Sequence, residues 1–181
     1  MTWEMLIVAV FRVLGSLPVL RWAFIGALIA MLADLSDLFL IEAIHLGGVG
    51  DYQRFDKWLD QVYMATFLIV ALRWAYVPRT IAVALYAYRM VGFIAFEASG
   101  ARDILLLFPN VFEFWFVFVS GLDFFKIDFR YSRAQLAISG STLLAAKLLQ
   151  EYALHYGRWF DGFTAFEAVD AIWRFLTAPF L

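Results

Sequence analysis

The chain has no cysteine, which excludes disulfides and thiolate metal sites and leaves no mark of a redox compartment. Charge is scarce too. Only 17% of its 181 residues are Asp, Glu, Lys or Arg, the net charge is −2, and no basic patch marks a nucleic-acid partner. The opening Met1-Thr2-Trp3-Glu4 lacks the basic region of a signal peptide, so the first helix is expected to stay. There is no internal repeat and no low-complexity tract.

What is present in excess is apolar surface. The chain is 64% hydrophobic and 19% aromatic, with a mean hydropathy of +0.78, and a soluble domain of this size needs more polar residues to cover its core. The expected class is an all-α, polytopic integral membrane bundle in a plasma membrane of prokaryotic type. At about 20 residues per crossing there is room for one domain of five to six membrane helices.

Local punctuation divides that domain. Residues 3–14 are apolar but short, carry Glu4 and Arg12, and run into Gly15-Ser16-Leu17-Pro18, which suggests a helix lying at the interface. Spans are expected over 20–46, 52–76, 79–98, 104–122 and 134–156. A short amphipathic helix over 164–176 is expected to close the bundle. Gly47-Gly48-Val49-Gly50-Asp51 marks a tight reversal, Val77-Pro78 a boundary and Pro109 a bend. Trp22, Trp58, Trp74, Tyr76, Tyr131, Tyr156 and Trp159 cluster near the span ends, as an interfacial belt requires. Lys and Arg divide seven against five between the two sides, a lean toward an inside N-terminus.

Against this background one acidic stretch stands out: Asp34, Asp37 and Glu42, then Asp56 and Asp60 beyond the glycine turn. A carboxylate at membrane depth costs about 2.5 kcal/mol or more, and such residues usually mark ion pathways, metal sites or catalysis. At about 100° per residue, Asp34, Asp37, Glu42 and His45 share one side of the first span. Asp56 and Asp60 are i, i+4 on the next helix, with Tyr63 and Phe67 continuing the stripe. Depth along the two helices sets Asp37 opposite Asp60 and Glu42 opposite Asp56. Clustered carboxylates of this kind suit a hard divalent cation such as Mg²⁺, Mn²⁺ or Ca²⁺. Further along, Arg89, Glu97, Asn110, Glu113, Lys147 and Glu151 add a polar interior, in which Arg89 is expected to serve as a counter-ion.

The order Asp34-Leu-Ser-Asp37, then Asp56-Lys-Trp-Leu-Asp60, resembles the signature of the CDP-alcohol phosphotransferases, membrane enzymes of phospholipid synthesis. The four aspartates match in type and pair spacing. The gap between the pairs is one residue longer, and Leu38, Ile41 and Glu42 stand where the family has Gly, Ala and Arg. The resemblance implies that Asp34, Asp37 and Asp56 hold a two-metal site for a nucleotide diphosphate, with Asp60 as a further ligand and the general base toward an acceptor alcohol.

Three readings follow. The first is a divergent metal-dependent phosphotransferase acting on lipid-linked substrates. The second is a small proton or cation transporter or channel, with Arg89 and Lys147 as gating counter-ions. The third is a non-catalytic subunit of a membrane complex held together by buried ion pairs. The expected partners are the lipid bilayer and either further copies of the chain or other subunits of such a complex.

Overall fold

The computed structural model describes residues 2–36, 52–101 and 103–152, with 173, 174 and 177. The glycine turn at 47–51, Asp37, Glu42, His45 and most of the closing helix over 164–176 lie outside the described residues. The described elements are α1 (Trp3–Ser16), a 3₁₀ turn (Leu17–Leu20), α2 (Ala23–Leu35), α3 (Tyr52–Ala71), α4 (Tyr76–Ser99), α5 (Asp103–Leu107), α6 (Val111–Phe124) and α7 (Arg133–Glu151). No strand occurs among the described residues.

Among the described residues, three helical stretches are long and apolar enough to cross a membrane: Trp3–Leu20, Tyr76–Ser99 and Ile104–Phe124. The first of these includes the stretch expected over 3–14 as an interfacial helix, and its helical path continues through the 3₁₀ turn to Leu20. Pro18 does not end the helical path, because it occupies an early position of the 3₁₀ turn where its missing N–H has no partner to lose. Ser16 also turns its hydroxyl back to the Val13 carbonyl at 2.7 Å. Helix α3 has the length to cross, but Arg54, Asp56, Lys57 and Asp60 crowd its first half. Apolar α2 runs for 13 residues within the described part.

Other boundaries shift for local reasons. The break before α4 falls at residues 72–75, and Pro78 sits inside the first turn of that helix, where proline is tolerated. Pro109 does more than bend the fourth span: it separates α5 from α6. Gly100, at φ 69°, closes α4 in the left-handed conformation that a glycine adopts without cost. Ser132 caps α7, its side chain and that of Gln135 bonding each other's backbone N–H.

Helices α3, α4 and α6 enclose an aromatic core. Phe67 stacks on Phe116 at 4.1 Å between ring centres, Trp74 also stacks on Phe116 at 5.1 Å, and Tyr86 meets Phe112 edge-on. Phe67, Phe112 and Phe116 are fully buried, and burial of this size contributes about 1.5–3 kcal/mol per side chain. Trp115 donates its indole N–H to the Pro78 carbonyl at 3.1 Å, so the polar edge of the core is satisfied as well.

Candidate cation site

The site begins with a hairpin. A Cβ on Gly26 would lie 2.3 Å from the backbone N of Val19, and one on Gly15 would lie 2.5 Å from the Cβ of Ala33. These glycines let α1, with its 3₁₀ extension, run antiparallel against α2 almost backbone to backbone. The close approach brings the inner face of α1 onto the end of α2. That face reads Glu4, Val8, Arg12 and Ser16, one residue every fourth position, and all four are buried.

Arg12 is 4% exposed and reaches three carboxylates. Its Nη2 bonds Asp34 and, at 2.7 Å, Asp60, while Nη1 bonds Asp56 at 2.9 Å. Lys57 closes the other side, with Nζ 2.6 Å from Asp56 and 3.0 Å from Asp60. One oxygen from each of Asp34, Asp56 and Asp60 lies within 4.8 Å of the others. With all three carboxylates ionised, these five groups carry one net negative charge.

The donor set fits a hard divalent ion. Across Ca²⁺ at 2.3–2.6 Å, opposite oxygens stand about 5 Å apart, and across Mg²⁺ about 4 Å. The guanidinium is a planar monovalent cation at the point where the three oxygens converge. An ion held by all three must therefore displace Arg12.

The other expected residues fall into a second group and two outliers. In the second group Asn110 donates to Tyr63 Oη and to Glu113, both at 3.3 Å. Lys147 lies 3.5 Å from Glu113, 3.4 Å from Glu151 and 2.8 Å from Gln150. Glu113 and Lys147 are each 6% exposed, so this is a buried pair joining α6 to α7. Tyr63, one turn beyond Asp60 on α3, borders both groups.

Glu97 belongs to neither group, its closest charged neighbour among the described residues being Arg54 at 4.0 Å. Arg89 departs from expectation. It is 4% exposed, and no carboxylate lies within ion-pair distance of it among the described residues. Its Nη1 instead holds the Phe108 carbonyl at 2.8 Å, and the neighbouring Tyr88 hydroxyl holds that of Leu107. Both carbonyls lie beside the break at Pro109, so Arg89 braces a broken helix.

Arg12 and Lys57 are the site residues that the sequence reading missed. Arg12 was assigned to an interfacial helix, where a charge has water to face. The four-residue repeat of Glu4, Arg12 and Ser16 on an otherwise apolar helix was the available signal, since a polar stripe on a spanning helix must face protein. Comparison with protein-family models, with curated proteins and with solved structures finds no match to this chain.

Proposed function

We propose that the chain is a multi-pass membrane protein of five to six membrane helices that binds a divalent cation, Mg²⁺ or Mn²⁺ before Ca²⁺, at Asp34, Asp56 and Asp60. Asp37 is a further ligand in this reading. The observation that carries it is the convergence of three carboxylates from two helices, with their oxygens spaced for one ion. Arg12 and Lys57 are the resident counter-ions and leave one negative charge over. A bound divalent ion would polarise phosphoryl oxygens and stabilise charge developing on them.

On this reading the activity is metal-dependent phosphoryl-group transfer on lipid-linked substrates, as the aspartate spacing suggests: the acceptor alcohol's oxygen would form the new P–O bond as the pyrophosphate P–O bond of a nucleotide-diphosphate donor breaks and a nucleoside monophosphate leaves. Asp60 is the residue to take the proton from the acceptor hydroxyl. Arg12, displaced from the carboxylates, has the planar donor geometry to pair with a phosphate. Asp34 and Asp56 remain ligands throughout.

The test is thermal unfolding of detergent-purified protein with Mn²⁺ against chelator. Wild type is expected to unfold at a higher temperature with the ion, and Asp34→Asn with Asp60→Asn to lose that increment. An unchanged wild-type midpoint across Mg²⁺, Mn²⁺ and Ca²⁺ would end the metal reading.

A second reading, transport of protons or cations, is favoured by the hydrogen-bonded run of Tyr63, Asn110, Glu113 and Lys147, which begins one helical turn beyond Asp60. These side chains form a polar file from α3 through α6 to α7. Proteoliposomes would then show a cation or proton flux that Glu113→Gln abolishes. If neither ion binding nor flux occurs, the pairs act as a structural lock.

A further inference from the structure

One end of the bundle is made of three connections: 17–22 between α1 and α2, 72–75 between α3 and α4, and 125–132 between α6 and α7. Ring contacts gather them there. Phe24, at the start of α2, packs on Phe124 at 5.3 Å and on Phe125 at 5.5 Å, Trp74 stacks on Phe116, and Phe129 meets Phe118 edge-on at 5.3 Å.

Charge on this end is one-sided. Arg21, Arg73, Lys126, Arg130 and Arg133 are exposed and Arg79 is half-buried, and the acids beside them are Asp123 and Asp128, so six cations against two acids leave an excess of four positive charges. Spread over three connections, these cations form no patch in the sequence; the fold assembles one. None of the six lies within ion-pair distance of an acid among the described residues. Elsewhere the cations are held: Arg12, Lys57 and Lys147 each face two or more carboxylates.

Helix stability does not account for these positions. Arg133 opens α7 and Arg79 stands near the start of α4, where the helix dipole disfavours a cation. Lys126 takes the left-handed conformation, at φ 55°, in the turn that closes α6, where the Ile127 N–H donates to the Leu122 carbonyl at 2.9 Å. A glycine would hold that turn at less cost.

Between the cations the same end exposes rings, with Trp22 at 62%, Tyr76 at 73% and Phe125 at 62%. Cations alone would suit an acidic protein in water. Cations interleaved with exposed aromatics suit a headgroup layer, where phosphates take the charge and rings settle beside the apolar boundary. Helix α4 begins here and α6 ends here, and both belong to stretches long and apolar enough to cross a membrane.

We infer that this end of the bundle binds the headgroups of anionic phospholipids, through Lys126, Arg130 and Arg133 of the α6–α7 connection together with Arg21 and Arg73. The inference rests on the multi-pass reading above.

In the experiment, full-length protein in detergent micelles is titrated with dioleoylphosphatidylglycerol or dioleoylphosphatidylcholine, and bound lipids are counted by native mass spectrometry. Wild type is expected to take phosphatidylglycerol in preference to phosphatidylcholine. At about fivefold per cation, Lys126→Asn with Arg130→Gln and Arg133→Gln should weaken phosphatidylglycerol binding on the order of a hundredfold, with phosphatidylcholine binding unchanged. Asparagine tolerates the left-handed turn, and an unchanged thermal midpoint checks the fold. Arg21→Gln with Arg73→Gln, on the other two connections, should weaken binding about twentyfold, so the reasoning does not depend on one variant. Arg54→Gln, at the opposite end of α3, should bind as wild type does.

Equal uptake of the two lipids overturns the inference, as does phosphatidylglycerol binding like wild type in the folded variants. Binding of soluble polyglutamate in preference to phosphatidylglycerol also overturns it and assigns the surface to an acidic protein. Release of the protein from membranes by alkaline carbonate would refute the multi-pass reading itself. Protein that stays in the membrane fraction and shows no lipid preference refutes this inference alone.

Discussion

Replacing Arg12 by methionine keeps an unbranched apolar stem and removes the guanidinium with its charge. In the folded protein Arg12 bonds Asp34, Asp56 and Asp60 while 4% exposed. Without it Lys57 still faces Asp56 and Asp60, but the ion pair to Asp34 is gone and the group's excess of negative charge rises from one to two. Breaking a buried pair in this way costs about 3–5 kcal/mol, a large part of the roughly 5–15 kcal/mol that holds a typical fold. For a chain of this size the midpoint should fall by about 10 °C. The vacated oxygens are then open to a divalent ion. At a hundredfold excess over its dissociation constant such an ion restores about 2.7 kcal/mol, or roughly 5–10 °C. The assay is thermal unfolding in detergent, titrated with Mn²⁺ after chelation. Arg12→Met should respond more strongly to Mn²⁺ than wild type, because the ion no longer competes with the guanidinium. An unchanged midpoint in chelator would show that Arg12 does not sit among the aspartates. A lowered midpoint that Mn²⁺ leaves in place would show an ion-pair lock and refute the metal reading.

Two further outcomes follow from the structure. Lys147→Met leaves Glu113 in a buried site with Asn110 as its remaining hydrogen-bond donor, so denaturant titration should show a loss of about 3–5 kcal/mol; adding Glu113→Gln should recover most of it, since the uncompensated charge is then absent. In the connector between α6 and α7, partial burial and then the negative charge of Asp123 raise the pKa of the Tyr131 hydroxyl above the ordinary tyrosine value. A group raised on folding stabilises the protein fully below its unfolded value near 10 and loses that contribution as pH climbs through the folded value. A difference absorbance titration of wild type against Tyr131→Phe should therefore place this tyrosine later than a free one, and Asp123→Asn should bring it earlier.

Part of the aspartate cluster was legible from helical phase: Asp56 and Asp60 at i, i+4 share a face, and Asp34 stands in the last turn of α2, while the expected pairings of Asp37 with Asp60 and of Glu42 with Asp56 lie outside the described residues. The pairs Asn110 with Glu113 and Lys147 with Glu151 were readable in the same way, since contacts three or four residues apart on one helix follow from its pitch. The ion pair between Glu113 and Lys147 was not, because 34 residues separate them and only the docking of α6 on α7 decides it. Arg12 was missed for a related reason. Its role depends on Gly15 and Gly26 letting α1 lie against α2, and nothing in the charge pattern alone reports that approach. Arg89 shows the opposite error: a buried cation was assigned a carboxylate, but the break at Pro109 frees carbonyls that take the guanidinium first. The broad helical class needed only composition, whereas the number of crossings depends on how polar helices such as α3 are shielded by their neighbours.

The most direct test of the cation site is a crystal structure of the protein soaked in Mn²⁺, with anomalous scattering measured. The predicted result is a peak bounded by Asp34, Asp56 and Asp60, with the Arg12 guanidinium moved off the three carboxylates. A map with no peak there, and Arg12 still joined to all three aspartates, would contradict the account.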